Sequence, residues 1–176
     1  MALENITPND ELFKKILHRG MRDETINNVV LVEKKAATKL GDNYLSCLTR
    51  FTLHYNCDVP TDNGYVKEKK VAHLILKEEP VVSEDMLKNI RELEVFETER
   101  SILEDVLMRV EELVGRRIGP KIYYSATKPH IIVMEDLAVF GFKNRSRQIG
   151  LSMDDVELVI DSIADYHAGT VFLNDQ

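Results

Sequence analysis

The feature that most constrains the fold of this chain is an apolar stretch that ends in a lysine, Val71–Lys77. Successive side chains of a β-strand point to opposite faces of its sheet. Lys77 is therefore predicted to share a face with His73 and Ile75 and to place its charge at the end of the strand. A second apolar stretch, Ile131–Met134, is also predicted to be a buried strand.

Alternating and continuous apolar runs together predict five β-strands. Three of them form a meander: Val29–Ala37, Tyr44–Tyr55 and the strand that ends at Lys77. Pro60–Gly64 is predicted to turn the chain before that third strand, with an Asn-Gly pair supplying the positive φ angles of a hairpin. A second hairpin is predicted from Lys121–Ser125 and His130–Met134. We expect both hairpins to join one mostly antiparallel sheet.

Two helical regions are predicted around these strands. The first has capping signals at Thr7 and Pro8, a stop signal at Gly20, and an apolar stripe of Leu12, Phe13, Ile16 and Leu17. The second, Asp85–Val114, contains neither proline nor glycine, and Ser83 or Asp85 can cap it. Its apolar residues recur at three- and four-residue steps, which predicts one long amphipathic helix or two consecutive ones packed across the sheet.

A last helix is predicted after Ser152. Ser152 and Asp155 form a variant of the capping box. His167 lies on the predicted apolar face of this helix, where we expect a packed core histidine rather than an acid or base.

The composition argues against several classes of function. The net charge is −7 and the basic doublets are scattered, so a nucleic-acid partner is not expected. No apolar run approaches the ~18 residues of a membrane span, and the N-terminus lacks a signal-peptide pattern. Cys47 and Cys57 lie along one extended run, roughly 33 Å apart if it is straight, too far for a disulfide. Neither has a ligand partner at zinc spacing. We therefore expect a cytoplasmic protein with reduced thiols and no metal site.

Several residues have the chemistry that a nucleoside triphosphate requires. Its phosphates need a protein backbone that can approach them closely, a positively charged group, and a residue that holds that charged group in place. Gly41-Asp42-Asn43 can form a tight turn, Lys77 can supply the cation, and Glu99 (or its competitor Glu97) can hold it. The segment 134–137 can present backbone groups to an adenine edge. Each feature also has an ordinary interpretation: a hairpin turn, a solvated strand-end lysine, or a solvated helix face.

The order of these features resembles a kinase small lobe. In detail, the chain resembles the ecdysteroid kinase-like family of insects and nematodes, also called the CHK kinase-like family, which is related to choline and aminoglycoside kinases. The resemblance extends from about residue 7 to residue 172. Six segments match in order: Gly41-Asp42-Asn43-Tyr44 running into Arg50-Phe51-Thr52-Leu53; Leu74-Ile75-Leu76-Lys77; Phe96-Glu97-Thr98-Glu99; Pro120-Lys121-Ile122-Tyr123-Tyr124; Met134-Glu135-Asp136-Leu137 with Gly141-Phe142; and Ile163-Ala164-Asp165-Tyr166-His167-Ala168.

The resemblance implies an α+β fold. It predicts a kinase-like small lobe, with a five-stranded mostly antiparallel sheet and a long helix, followed by a hinge and the first helix of the large lobe. It divides the chain into an N-terminal helical extension at 1–28, the small lobe at 29–135, and the hinge with the start of the large lobe at 136–176. The family's activity is phosphorylation of hydroxyls on small lipophilic molecules, ecdysteroids among them, with ATP and magnesium.

By position, the resemblance assigns nucleotide binding to the turn, the strand lysine, its helix partner and the hinge, namely Gly41, Asp42, Asn43, Lys77, Glu99, Glu135, Asp136 and Leu137. It assigns no catalytic residue and no metal ligand. None of the five histidines is followed two residues later by aspartate, so the family's His-Gly-Asp loop has no counterpart here. We therefore expect no phosphotransfer by this chain.

Three interpretations remain open. The chain is a partial kinase-like protein, a noncatalytic nucleotide-binding or regulatory module, or an interaction domain without a ligand. In the first, a lipophilic acceptor is expected only in a full-length form. The apolar stripe of the last helix would then lack full cover, which predicts self-association through residues 151–173. That stripe consists of Val156, Ile160 and Ile163.

Overall fold

A computed structural model describes residues 10–38, 43–146 and 148–175. The chain forms two compact units. The first contains the described residues up to Phe96 together with Lys121–Asp136, and the second contains Glu97–Pro120 and the described residues from Leu137 onward. The family-based division at residues 28 and 135 stays a prediction.

The first unit is built on a five-stranded sheet. Its strands are β1 (Asn27–Ala36), β2 (Cys47–Thr61), β3 (Gly64–Glu78), β4 (Ile122–Thr127) and β5 (His130–Glu135). They lie in the order β1-β2-β3-β5-β4, and every neighbouring pair is antiparallel. The predicted α+β class and the single sheet are therefore confirmed. The two apolar strands that dominate the sequence, β3 and β5, are neighbours.

The β2–β3 hairpin is longer than the sequence predicted. Thr61 pairs with Gly64 around a two-residue turn, and the ladder continues to the pair of Cys47 with Glu78. Gly64 has a φ angle of 122°, which favours glycine. Asn63 is not among the residues with positive φ, so only the glycine of the predicted Asn-Gly pair has the expected conformation. Both cysteines lie on β2 and are free thiols.

One face of the sheet is covered by α1 (Asp10–Met21). Phe13, Ile16 and Leu17 of the predicted apolar stripe are buried, and Leu12 packs against them. Burying a large apolar side chain contributes about 1.5–3 kcal/mol, so this stripe orients the helix on the sheet. The strand residues buried in the same core are Val29, Phe51, Leu53, Tyr55, Cys57, Ala72, Leu74, Leu76, Ile131 and Val133.

Gly20 does not end α1, so that prediction is wrong. The helix continues to Met21. A Cβ added at Gly20 would lie 2.2 Å from Cδ1 of Tyr123 in β4. Glycine therefore allows the helix to approach the sheet more closely than any side chain would. The predicted cap Thr7 and the predicted first helical residue Pro8 lie outside the described residues.

The region after β3 folds as two consecutive helices, the second of the two predicted alternatives. In α2 (Glu84–Glu92), the predicted cap Ser83 accepts a hydrogen bond at Oγ from the backbone N–H of Met86 at 3.4 Å. Glu94, with a φ angle of 51°, separates the two helices. The second helix consists of α3 (Val95–Ser101), a π-helical turn (Ile102–Val106) and α4 (Leu107–Val114).

An ion pair connects α2 to the residue that follows β3. Arg91 donates from Nε to Oε1 of Glu79 at 2.7 Å and from Nη2 to Oε2 at 2.6 Å. These hydrogen bonds hold the pKa of Glu79 below its usual value. The neighbouring Glu78 shows the opposite effect, because burial raises its pKa and the positive charge of Lys34 offsets only part of that rise.

The second unit is organised by the packing of α4 against α5 (Met153–Asn174). Val110 of α4 is fully buried, and a Cβ added at Gly169 of α5 would lie 2.7 Å from its Cγ1 atom. Beyond α4, Arg116 donates from Nε to Oδ2 of Asp165 at 2.5 Å. A close helix contact and a charged pair therefore connect the two helices.

The start of α5 agrees with the sequence, but its faces do not. Ser152 and Asp155 form the predicted capping box. His167 is exposed, so the predicted core histidine is wrong. The side of α5 that packs on α4 contains Gly169, and positions two apart in a helix point in nearly opposite directions. No helix in the described parts of the chain combines the length and the apolar composition that crossing a bilayer requires.

Candidate functional site

Lys77 lies on the sheet face opposite α1, and it shares that face with His73 and Ile75, as alternation predicted. It pairs with Leu48 of β2 on one side and with Ile132 of β5 on the other. Ile132 is 1% exposed, and Lys77 is half-buried. In such surroundings the aliphatic part of a lysine lies along apolar surface while its ammonium group extends to the edge.

An aromatic ring contacts the ammonium group of Lys77. Its Nζ atom lies 5.6 Å from the ring centroid of Phe96. That distance permits a cation–π attraction of about 0.5–1 kcal/mol, and more where water is excluded. Phe96 is 5% exposed, and its ring also contacts His130 at a centroid distance of 5.8 Å. The position of the Lys77 charge is therefore restricted by packing.

The same face contains a buried ion pair. Arg50 of β2 donates from Nε to Oδ2 of Asp136, and from Nη2 to Oδ1 at 3.3 Å. The side chain of Asp136 is 3% exposed and that of Arg50 is 26% exposed. A carboxylate removed this far from water requires a charged donor, and a guanidinium supplies two parallel bonds.

The backbone at 135–136 takes part in the sheet. The N–H of Glu135 donates to the carbonyl of Lys121 at 2.9 Å, and the N–H of Asp136 donates to the carbonyl of His73 at 3.0 Å. Strand pairing therefore continues one residue beyond β5. In the second unit, Leu137 opens a 3₁₀ turn that ends at Phe140.

The predicted phosphate turn precedes β2. Gly41 and Asp42 lie outside the described residues. Asn43 lies within them, and its Nδ2 atom donates to Oγ of Ser46 at 2.7 Å. Ser46 is 3% exposed, so this bond attaches Asn43 to a buried position directly before β2.

The helix partner of Lys77 stays a prediction. Glu97 and Glu99 both lie in α3 and belong to the second unit, whereas Lys77 belongs to the first. Both glutamates are half-buried, so burial does not favour either one.

Sequence reasoning did not identify Arg50 as the partner of Asp136. Two signals were present, since alternation puts Arg50 on the Lys77 face and Asp136 follows a buried strand. The pairing itself requires the strand order, because β3 lies between β2, which bears Arg50, and β5, which Asp136 follows.

Comparison with known proteins supports the resemblance found in the sequence. Searches of curated proteins and of solved structures found no match to this chain. A family model described as "Ecdysteroid kinase-like family" matches residues 40–176. This range includes Arg50, Lys77, Asp136 and four of the five strands. The chain therefore belongs to the ecdysteroid kinase-like family.

Proposed function

We propose that this chain binds the phosphates of ATP against the sheet face that contains Lys77, as the nucleotide-binding part of a small-molecule kinase. The observation that carries the proposal is the position of this lysine at the end of a central strand. Its neighbour Ile132 is buried, and its Nζ atom lies 5.6 Å from the Phe96 ring centroid. A lysine restricted in this way loses less side-chain entropy on binding an anion than a freely moving one.

The residues present fit a nucleotide. Lys77 offers a charge to the phosphates, and the segment 135–137 offers a backbone edge to the base. The N–H groups of Glu135 and Asp136 donate within the sheet, so Leu137 would supply the donor to the base. The described residues do not fit a metal held by protein ligands alone, since no three His, Cys, Asp or Glu side chains among them could share an ion. We assign no step to magnesium.

We also propose that these 176 residues hold the nucleotide without transferring its phosphoryl group. Transfer needs a residue that orients the acceptor hydroxyl, and the His-x-Asp pattern does not occur in the sequence. By family resemblance the acceptor is a small lipophilic alcohol, such as an ecdysteroid. Incubation with labelled ATP and an ecdysteroid should give no product above a boiled control.

Titration with a fluorescent ATP analogue tests nucleotide binding. We expect wild-type protein to saturate and Lys77→Met to lose most of its affinity, because methionine keeps the apolar stem and removes the charge. Lys15→Met is the matched control. The Nζ atom of Lys15 lies 5.8 Å from the Tyr124 ring centroid, on the helix that covers the other face of the sheet. Equal affinity in wild type and Lys77→Met, with both folded by circular dichroism, would contradict the proposal.

One observation favours a second function, association with another protein chain. The exposed fraction of Ile160 is 57% and that of Ile163 is 48%. Exposed apolar patches of this kind mark interaction surfaces. We propose self-association through residues 151–173. A groove of about 530 Å³ runs beside these residues, lined by Ile118, Leu158, Val159, Ser162, Ile163, Tyr166 and His167.

Light scattering at increasing protein concentration tests self-association. We expect the mean mass to rise with concentration, and Ile160→Glu to suppress the rise by charging the apolar patch. Leu93→Glu is the control, because Leu93 is 69% exposed but lies between α2 and α3. A monomer at every concentration would argue against this second function.

A further inference from the structure

We infer that Arg50 is a positioning residue for nucleotide binding, and that it acts through Asp136 to set the course of the 135–137 segment. The inference rests on the nucleotide-binding function proposed above. It adds a residue on β2 that works through another side chain rather than by contacting the base.

Arg50 and Asp136 are joined across an intervening strand. Arg50 pairs with Ile75 of β3, and Ile75 pairs with Met134 of β5. Neighbouring strands lie ~4.8 Å apart, so β2 and β5 are separated by roughly 9.6 Å. The arginine side chain crosses β3 to meet the carboxylate that follows β5. A long side chain with a planar, two-pronged head is suited to this contact, and lysine would provide only a point charge.

Asp136 is restrained through both its side chain and its backbone. Its carboxylate accepts two hydrogen bonds from Arg50, and its N–H donates to the carbonyl of His73 at 3.0 Å. The next residue, Leu137, begins the 3₁₀ turn. Asp136 is thus the last residue paired with β3, and fixing it fixes the direction in which the Leu137 backbone continues.

Stability alone is a weak reason for such a pair. Removing two charges from water is costly, and replacing a buried ion pair by apolar residues of similar size is often neutral or stabilising. The pair instead specifies a geometry, since two parallel bonds to a planar carboxylate hold it in one orientation. The group whose orientation is specified lies next to the proposed donor to the base.

The double variant Arg50→Met/Asp136→Leu tests this role, because removing both charges avoids an unpaired buried carboxylate. We expect the Kd of the fluorescent ATP analogue to rise about tenfold or more, as the binding-competent fraction falls to about one tenth. Inorganic tripolyphosphate would bind at Lys77 but has no base, so its Kd should not change. In nucleotide-free protein, amide hydrogen exchange at residues 137–142 should become faster.

The control is Arg91→Met/Glu79→Leu, which removes another arginine–carboxylate ion pair with two hydrogen bonds in the same unit. It should change neither the ATP-analogue Kd nor the exchange at 137–142. Equal weakening of ATP analogue and tripolyphosphate in the Arg50/Asp136 variant would overturn the inference, as would unchanged exchange at 137–142. Wild-type protein that binds neither ligand would instead overturn the proposed function.

A further variant covers the case in which the double variant does not fold. Arg50→Lys keeps the charge and loses the second bond. We expect the ATP analogue to bind Arg50→Lys more weakly than wild type, by a smaller factor than in the double variant. Binding of tripolyphosphate should again be unchanged. A folded Arg50→Lys protein that binds the ATP analogue as well as wild type does, or that loses affinity equally for both ligands, would also overturn the inference.

Discussion

Replacing Gly169 by alanine tests how closely α5 packs on α4. The new Cβ would lie 2.7 Å from Cγ1, 3.0 Å from Cγ2 and 3.2 Å from Cβ of Val110, a fully buried residue. Carbon atoms pack best at about 3.5–4.0 Å, so all three contacts are too short. Overpacking of this kind costs about 1–3 kcal/mol, whereas alanine gains about 1 kcal/mol over glycine inside a helix. We expect a net loss of about 1 kcal/mol.

Val110→Ala is the partner change that isolates this contact. Alone, it removes two methyl groups from a buried site, at about 1.6 kcal/mol by their transfer free energy. In the double variant, the Cβ of residue 169 occupies space that the two Cγ atoms vacate. The double variant should therefore be no less stable than Val110→Ala alone, which corresponds to a coupling energy of about 1–2 kcal/mol.

Amide hydrogen exchange in α4 is the suitable assay, because the chain has two compact units and a single melting curve would mix them. A loss of 1 kcal/mol lowers protection about fivefold. Gly169→Ala that raises protection would refute the close packing of α4 on α5. The close packing would also be refuted if the stability losses of the two single variants sum to that of the double variant within about 0.5 kcal/mol.

Three further changes test the first unit. Gly20→Ala places a methyl group 2.2 Å from Cδ1 of Tyr123, so we expect the first unit to lose about 1–3 kcal/mol of stability and the amides of α1 to exchange faster; unchanged exchange in α1 would disprove the close approach. Glu79→Gln removes a carboxylate whose pKa is held below the ordinary 4.5 by Arg91. The charged Glu79 therefore stabilises the folded state above pH 4.5, and this stabilisation is lost as the pH falls through the lowered pKa. This variant should be less stable than wild type at pH 7, and the difference should shrink in acid. Glu78→Gln should show the opposite sign at pH 7, because burial raises the Glu78 pKa and its charge destabilises the folded state above that pKa; the gain should shrink as the pH falls toward 4.5. Protection of the β3 amides from hydrogen exchange, compared between each variant and wild type from pH 3 to pH 7, measures both effects. The same sign for the two variants at pH 7 would contradict the assignment.

The sequence by itself determined that five strands form, on which sheet face the strand side chains lie, and the family. Alternation placed Lys77 opposite Leu74 and Leu76, and those two leucines lie in the core beneath α1. The helical period likewise identified Phe13, Ile16 and Leu17 as the buried stripe. These features are predictable because the direction of a side chain along a strand or helix is a local property with a fixed period. Lys77, the centre of the candidate site, could be placed in this way.

Only the tertiary structure decided what each face meets. Gly20 has the local pattern of a helix stop, but the Tyr123 ring explains why glycine is there. His167 lies on an apolar stripe, yet α4 packs on the side of α5 that contains Gly169. Asp136 pairs with a residue 86 positions earlier in the chain. Such contacts depend on which elements become neighbours, here β3 between β2 and β5, and no local period encodes that order.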